Sequence, residues 1–334
     1  MAESYRAIEQ YRFAESFRAA TRIVTLPLPE PGPGEVLVRN AWCGINGIFD
    51  TQLARNAVGT IRMEPPFLTG VEAVGTVEAV GSGVTDLALG QAVAATRFRG
   101  GYREANCGPA ADFVPLPEAS AEALALASSG VAAWLALTLT GAMQRGETVA
   151  VSAAAGGLGH LAVQIAKLHQ CHVIAICGGA KKAAFVKALG ADRVIDYRTE
   201  SVAEVLTSEY HDRIDLALDT VGGEVFDAMV DNLANHGRLV ISGWASDMVD
   251  DQPSPVTAPR IGHKLYYKGA SVRAFMNALH TAHWPAARAA LFELYAKGLL
   301  KPHAEALGNG LDAVPDAVEA LLAGQTMGKA VVRL

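Results

Sequence analysis

Val151-Ser-Ala-Ala-Ala-Gly-Gly-Leu-Gly-His160 is the stretch on which the fold turns. It begins inside a short apolar run, TVAVSAA (148–154), and opens a segment of helical period, GLGHLAVQIAKLHQ (157–170). Small residues at Ala153, Gly156 and Gly159 let the backbone turn tightly. The amides at the start of the helix then face outward, where a pyrophosphate would be held. Such a loop alone is weak, but between a strand and a helix in a βαβ series it reads as a dinucleotide fingerprint. It nominates Ala155, Gly156, Gly157, Leu158 and Gly159 as cofactor-contacting positions. The other reading is a packed strand–helix turn that binds nothing.

The flanking sequence supports the series. HVIAIC (172–177), RVIDY (193–197), RIDLALD (213–219) and GRLVISG (237–243) are short strands separated by helical patterns, such as AAFVKALG (183–190). Apolar strands alternating with helices predict a parallel sheet covered on both faces. Before residue 120 the pattern differs. EVLVRNAWCGIN (35–46), FLTGVEAVGTVEAVG (67–81) and GQAVAAT (90–96), broken by Gly and Pro, read as antiparallel β-structure. GASVRAF (269–275) is one more strand, 285–299 an amphipathic helix and KAVVRL (329–334) a closing strand.

Composition narrows the function classes. The 334 residues are 51% hydrophobic and 19% charged, a globular balance. The net charge of −6, with no long Lys/Arg run, argues against nucleic-acid binding. Cysteines at 43, 107, 171 and 177 form no C-x-x-C pair, which fits a reducing compartment, the cytoplasm. The N-terminal MAESYRAIEQYRFAESFR lacks an apolar targeting core. The most apolar stretch, 119–143, carries Glu122, paired serines and several threonines, and is expected to be a core helix, not a membrane span. His169, Cys171 and His172 cluster at a helix end and strand start, where packing explains them better than a metal. Asp247, Asp250 and Asp251 are expected to form a solvated acidic surface.

The nucleotide can be narrowed further. An NAD site places an acid about 20 residues after the glycine loop, against the ribose 2′-hydroxyl. Here that position is Gly178, in Cys177-Gly-Gly-Ala-Lys-Lys182. A carboxylate would repel a 2′-phosphate and lysine would attract it. The sequence therefore favours NADPH, with Gly178 and Lys182 at the site. Lys181 and Lys182 also fit a solvated first helical turn.

The order of β-rich domain, glycine loop, Asp219-Thr-Val-Gly-Gly223 and Gly328-Lys-Ala-Val-Val332 resembles the medium-chain dehydrogenase/reductase superfamily along essentially the whole chain. Ala153-Ala-Ala-Gly-Gly157, Cys171-His-Val-Ile174 and Ala270-Ser-Val272 are most similar to its zinc-independent quinone oxidoreductase and prostaglandin reductase 3-like branch. The resemblance implies an α/β fold, a Rossmann doubly wound parallel sheet plus a β-rich GroES-like domain. It assigns 1–121 and 270–334 to the GroES-like substrate domain and 122–269 to the dinucleotide-binding domain. It also implies a homodimer through a free sheet edge.

Zinc enzymes of this superfamily hold a catalytic metal through Cys, His or Glu, and Cys. Here the first position is Asn46, the Gly-His-Glu motif reads Gly70-Val71-Glu72, and the third position falls near Ser128. Valine cannot ligate, and a catalytic zinc needs three protein ligands, so no metal is expected. Without that Lewis acid, hydride addition to a polarised C=C is easier than ketone reduction. The implied reaction is NADPH-dependent reduction of an α,β-unsaturated ketone or a quinone. An enoyl-thioester reductase and a non-catalytic NADPH-binding protein are the alternatives.

The resemblance assigns the catalytic position to Asn46, whose amide donates to the substrate carbonyl or the nicotinamide ribose; a turn-stabilising role fits equally. Lys182 and Tyr197 match the 2′-phosphate region, though Tyr197 also fits as a strand-end aromatic. Thr220, Val221 and Gly222, and then Ser242, Gly243 and Trp244, follow strand ends, where ligands lie in open α/β sheets. Trp244 equally suits an exposed loop or a core plug. Phe275 matches a position near the nicotinamide or a core-strand residue. Thr326 and Met327 precede the closing strand, Thr326 where relatives often carry Asn. Relatives also carry a tyrosine after the Asn46 strand. This chain has none between Tyr11 and Tyr102, and Asp50 falls one residue late. The proton donor is left open between Tyr266, Tyr267 and water.

Overall fold

The computed structural model describes residues 3–59, 61, 63–95, 100–246, 248–249, 252–253 and 260–334. Asp247, Asp250 and Asp251 lie outside the described residues. The chain forms two compact units, Met1–Ser128 with His303–Leu334, and Ser129–Pro302.

In the first unit, β1 (Ser4–Gln10) and β2 (Thr21–Pro27) pair antiparallel, with β4 (Phe67–Leu68) on the other edge of β1. The main sheet is built on β3 (Glu35–Gly44), ten residues long, which pairs β5 (Glu72–Val80) and β7 (Ala105–Pro109). It continues through β6 (Ala92–Ala95) to β8 (Phe113–Pro115). Gly75 is obligatory there, because a Cβ would stand 2.1 Å from the Arg39 carbonyl oxygen. On the edge opposite β5, where β7 pairs its first half, the end of β3 pairs antiparallel with β18 (Lys329–Arg333), and β18 pairs parallel with β17 (Ala304–Asn309). The crossover is α11 (Val314–Leu322), which buries Val314, Ala317 and Val318 and packs on α2 (Gly47–Ala54). Val36, Val38, Val77, Val93 and Phe113 form one core. Ile8, Phe17, Cys43, Ile45 and Tyr102 join α11 in another.

The second unit is a six-stranded sheet in the order β11-β10-β9-β12-β13-β16, every pair parallel. Its strands are β9 (Thr148–Val151), β10 (His172–Cys177), β11 (Arg193–Asp196), β12 (Ile214–Asp219), β13 (Leu233–Ile241) and β16 (Ser271–Ala274). Counted along the chain this is 3-2-1-4-5-6, the Rossmann order, with its switch point between β9 and β12. Val149, Ala150, Val151, Val173, Ile174 and Leu216 are all fully buried, as strands covered on both faces require. Each buried valine, isoleucine or leucine contributes about 1.5–3 kcal/mol. Arg238 of β13 makes a two-pronged ion pair with Glu147 at 2.7 and 2.8 Å, fixing the entry to β9.

The second unit begins and ends later than the predicted 122–269. The predicted strand at 269–275 is β16, hydrogen-bonded to β13, and α10 (Trp284–Ala296) packs on α4 (Val131–Leu135) of the same unit. An apolar run declares itself a strand but does not name its partner. The helical run Ala121–Thr140, 20 residues with an 18-residue window of mean hydropathy 1.6, is long and apolar enough to cross a membrane by length and composition, despite its Ser and Thr content. Within the fold, 61% of its most apolar 18-residue window is buried. The side chain of Ser120 caps its start, accepting from the Ala123 amide at 3.0 Å.

Candidate active site

In the second unit the glycine loop lies where β9 gives way to α5 (Gly159–Leu168), at the carboxyl end of the switch-point strands. Ala153 takes a positive φ of 44°, and the Gly156 amide donates to its carbonyl at 2.9 Å. A Cβ on Gly159 would stand 2.3 Å from that carbonyl, so only glycine closes the turn. His160, fully buried, donates from Nδ1 to the Gly156 carbonyl at 2.9 Å and pins the loop from beneath.

Ser152 and Asp219, neither of them among the sequence candidates for the site, link the two switch-point strands. Ser152 Oγ donates to Asp219 Oδ1 at 2.7 Å and accepts from the Thr220 amide at 2.8 Å. Asp219, fully buried, accepts from the Val221 and Gly222 amides, each at 3.0 Å. Its carboxylate thus shapes the turn Thr220-Val221-Gly222. The Ser242 amide donates to the Asp219 carbonyl at 2.7 Å, and Gly243 packs against Thr220. These two predicted groups are therefore neighbours. Trp244 beyond them is half-exposed, and Phe275 is buried, stacked on His280 at 5.4 Å.

At the ends of β10 and β11, the Tyr197 ring lies over Gly178, where a Cβ would meet it at 2.4 Å. Asp196 accepts from the amides of Gly179 at 2.7 Å and Arg198 at 3.1 Å. Those bonds hold its carboxyl below the usual carboxylate range and occupy it with backbone. Lys181 and Lys182 stand in the first turn of α6 (Ala180–Ala188), with the Arg198 guanidinium beside Gly179. Arg198 was not foreseen; it directly follows Tyr197, which was the available signal.

In the first unit Asn46 follows β3 by two residues and stands at the N-cap position of α2, its side chain making no capping bond. Its amide Nδ2 donates to Glu72 Oε1 at 3.2 Å, and its Oδ1 accepts from Lys329 Nζ at 3.1 Å. Lys329 and Glu72 form a buried ion pair of 2.6 Å. Gly44 makes room for it, since a Cβ there would stand 2.4 Å from Glu72 Oε1. Asp50 Oδ2 accepts from the Asn46 backbone amide at 3.2 Å and from the Tyr102 hydroxyl at 2.5 Å. Burial pushes Asp50 up to about 7 and Tyr102 well above 10. Burial likewise raises the Cys43 thiol to about 12, so it is inert. A phenol thus stands beside Asp50, supplied by the segment before β7 and not by the α2 region. Tyr102 is fully buried. Thr326 and Met327 lie in the turn leading into Lys329, and the Met327 amide donates to Glu305 at 2.6 Å.

Other sequence candidates lie apart. Tyr266 and Tyr267 are 80% and 83% exposed. His169, Cys171 and His172 each take a separate partner: the Ile165 carbonyl, the Gln144 carbonyl and the Tyr210 hydroxyl. Among the described residues no group of three or more His, Cys, Asp or Glu is arranged to hold a metal ion.

Two family models match the chain: the alcohol dehydrogenase GroES-like domain over residues 32–124 and the zinc-binding dehydrogenase domain over 157–293. The chain is 39% identical over 318 residues to prostaglandin reductase-3 of Mus musculus, spanning 92% of this chain and 83% of that protein. The chain belongs to the medium-chain dehydrogenase/reductase superfamily, in its quinone oxidoreductase and prostaglandin reductase branch. It is an oxidoreductase, GroES-like in its first unit and Rossmann-type in its second. It is also 32% identical over 337 residues to a probable quinone oxidoreductase of Leishmania amazonensis, covering 99% of this chain and 98% of that one. A mycobacterial structure solved with NADPH superposes with a TM-score of 0.83 at 28% identity, covering 99% of this chain and 100% of that one.

Proposed function

We propose that this chain is an NADPH-dependent reductase that transfers hydride to the C=C of an α,β-unsaturated ketone, or to a quinone, without zinc. The observation that carries the reading is the Asn46–Glu72–Lys329 cluster. At the family's first ligand position stands an amide, and the neighbouring carboxylate is already paired with the protein's own ammonium. The residues of the second unit fit NADPH. Gly156, Gly157 and Gly159 carry no side chain over the helix start, Lys181 and Lys182 stand in the first turn of α6 with Arg198 beside Gly179, and the Asp196 carboxylate accepts from backbone amides. Cations at this position suit a 2′-phosphate.

When bound, NADPH supplies the hydride. Asn46 donates from Nδ2 to the substrate carbonyl oxygen, replacing a long 3.4 Å contact to the Gly44 carbonyl. That oxygen gains negative charge as the β-carbon is reduced, so a donor placed there stabilises the transition state more than the ground state. Thr220, Val221 and Gly222, on a turn bonded to Asp219, would hold the nicotinamide end. Lys182, Arg198 and Tyr197 would hold the 2′-phosphate end. Water supplies the α-carbon proton. A cytoplasmic homodimer joined through the edge strand β16 is part of the same reading.

The test is initial-rate nucleotide oxidation with a cyclic enone, a linear enone, a quinone, an enoyl thioester and a simple ketone, each with NADPH and NADH. Turnover of enones or quinones with NADPH, and little of the ketone, is expected. Preference for NADH, or for the thioester alone, overturns the reading.

A further inference from the structure

Lys329, the first residue of β18, is 4% exposed and donates to Glu72 Oε1 at 2.6 Å, the Ile45 carbonyl at 3.0 Å and Asn46 Oδ1 at 3.1 Å. An ammonium has three donors, so all are engaged. The same Glu72 Oε1 accepts from Asn46 Nδ2 at 3.2 Å. Lysine, carboxylate and amide thus form a closed ring in which each touches the other two. The charges dictate the amide's direction, because a flipped Asn46 would aim its NH2 at the ammonium and its carbonyl at the carboxylate. One Nδ2 hydrogen is taken by Glu72. The other faces only the Gly44 carbonyl at 3.4 Å, longer than an ordinary N–H···O bond. Asn46 itself is half-buried, whereas both charged partners are closed off.

We infer that Lys329 is the positioning residue for Asn46: a cation carried by the chain that holds the amide in one orientation and leaves one N–H available to an outside acceptor. By drawing electron density toward Oδ1 it also strengthens that N–H as a donor. The acceptor it suits is a carbonyl oxygen that becomes more negative during reaction. The inference rests on the proposed role of Asn46 and adds what makes that amide a donor. A purely structural ion pair would hold β18 to β5 without involving the amide.

The test uses the full chain. Lys329→Met alone strands the buried Glu72 charge and reports on folding. The decisive variant is Lys329→Met/Glu72→Gln, which removes both charges at similar volume. It is expected to fold and to bind NADPH as the parent does. Its kcat for a cyclic enone should fall about 30-fold or more, with KM less affected, approaching the 10²–10³-fold loss of an oxyanion donor itself. In nitrogen-15 asparagine-labelled protein, the Asn46 side-chain amide resonances should shift and their hydrogens exchange faster. A folded double variant with kcat within about threefold of the parent, or with unchanged Asn46 amide signals, overturns the inference. Asn46→Ala run in parallel separates the two failures. If it loses turnover where the double variant keeps it, Lys329 does not position the amide and the role of Asn46 stands. If it also keeps full turnover, the role of Asn46 falls, and the amide resonances alone decide whether Lys329 orients it.

Discussion

Asp50 shows how much a single buried side chain can demand. Burial lifts it to about 7, above the roughly 3.9 of an unfolded aspartate. Between those values the unfolded chain holds fewer protons than the folded one, so stability falls as pH rises from about 4 toward 7. Asp50→Asn retains an oxygen for Tyr102 and the Asn46 amide and cannot ionise. Urea midpoints between pH 5 and 7.5 should fall more steeply for the parent than for this variant; equal slopes would refute the assignment. Gly44→Ala should destabilise by about 2 kcal/mol or more, because its Cβ displaces Glu72 from Lys329. Lys182→Ala and Arg198→Ala should each weaken NADPH binding by about 1.5–3 kcal/mol and leave NADH nearly untouched. Equal losses for both nucleotides would make them surface residues. Asn46 and Lys182 stand out as candidates in the sequence because each sits at a fixed offset from a recognisable motif. Lys329 was not read as part of the site, since it lies 283 positions from Asn46 and no local pattern encodes that meeting.

Strands and helices were the most legible level. HVIAIC was read as a strand over 172–177, and β10 has those bounds. The signal was strong because apolar runs alternate with helical period across the whole unit. Partnership was less so: β17 and β18 pair in parallel inside a domain whose turns suggest antiparallel structure, and only the α11 crossover reverses the direction. The link between β9 and β12 was also hidden, since Ser152 and Asp219 look like ordinary strand-end residues. Asp219→Asn tests that link. An amide in its place sets an NH2 against a backbone N–H of Val221 or Gly222. Stability should drop by about 1–3 kcal/mol and the KM for NADPH should rise, with enone KM less affected. Unchanged KM for NADPH would mean that the turn holds its shape without the carboxylate.

At the scale of the molecule, each unit has its own core, so unfolding need not be a single step. Calorimetry should resolve two transitions, and NADP+ should raise the one belonging to Ser129–Pro302 by an amount that grows with ligand concentration. One sharp transition with calorimetric and van't Hoff enthalpies in agreement would contradict this. Two domains were legible from the change of pattern near residue 120; the compact second unit runs on to Pro302, with β16 paired to β13 inside it. The route of the chain also has a temporal side. Glu72 leaves the ribosome more than 250 residues before Lys329, a delay of about 10–50 s at ordinary synthesis rates. Throughout that interval the nascent first unit lacks the cation its carboxylate needs, and cannot close until the second unit has been made in full. A ribosome stalled between the two would therefore carry a chain able to fold its parallel sheet yet displaying an incomplete β-domain, the kind of half-finished surface that chaperones recognise.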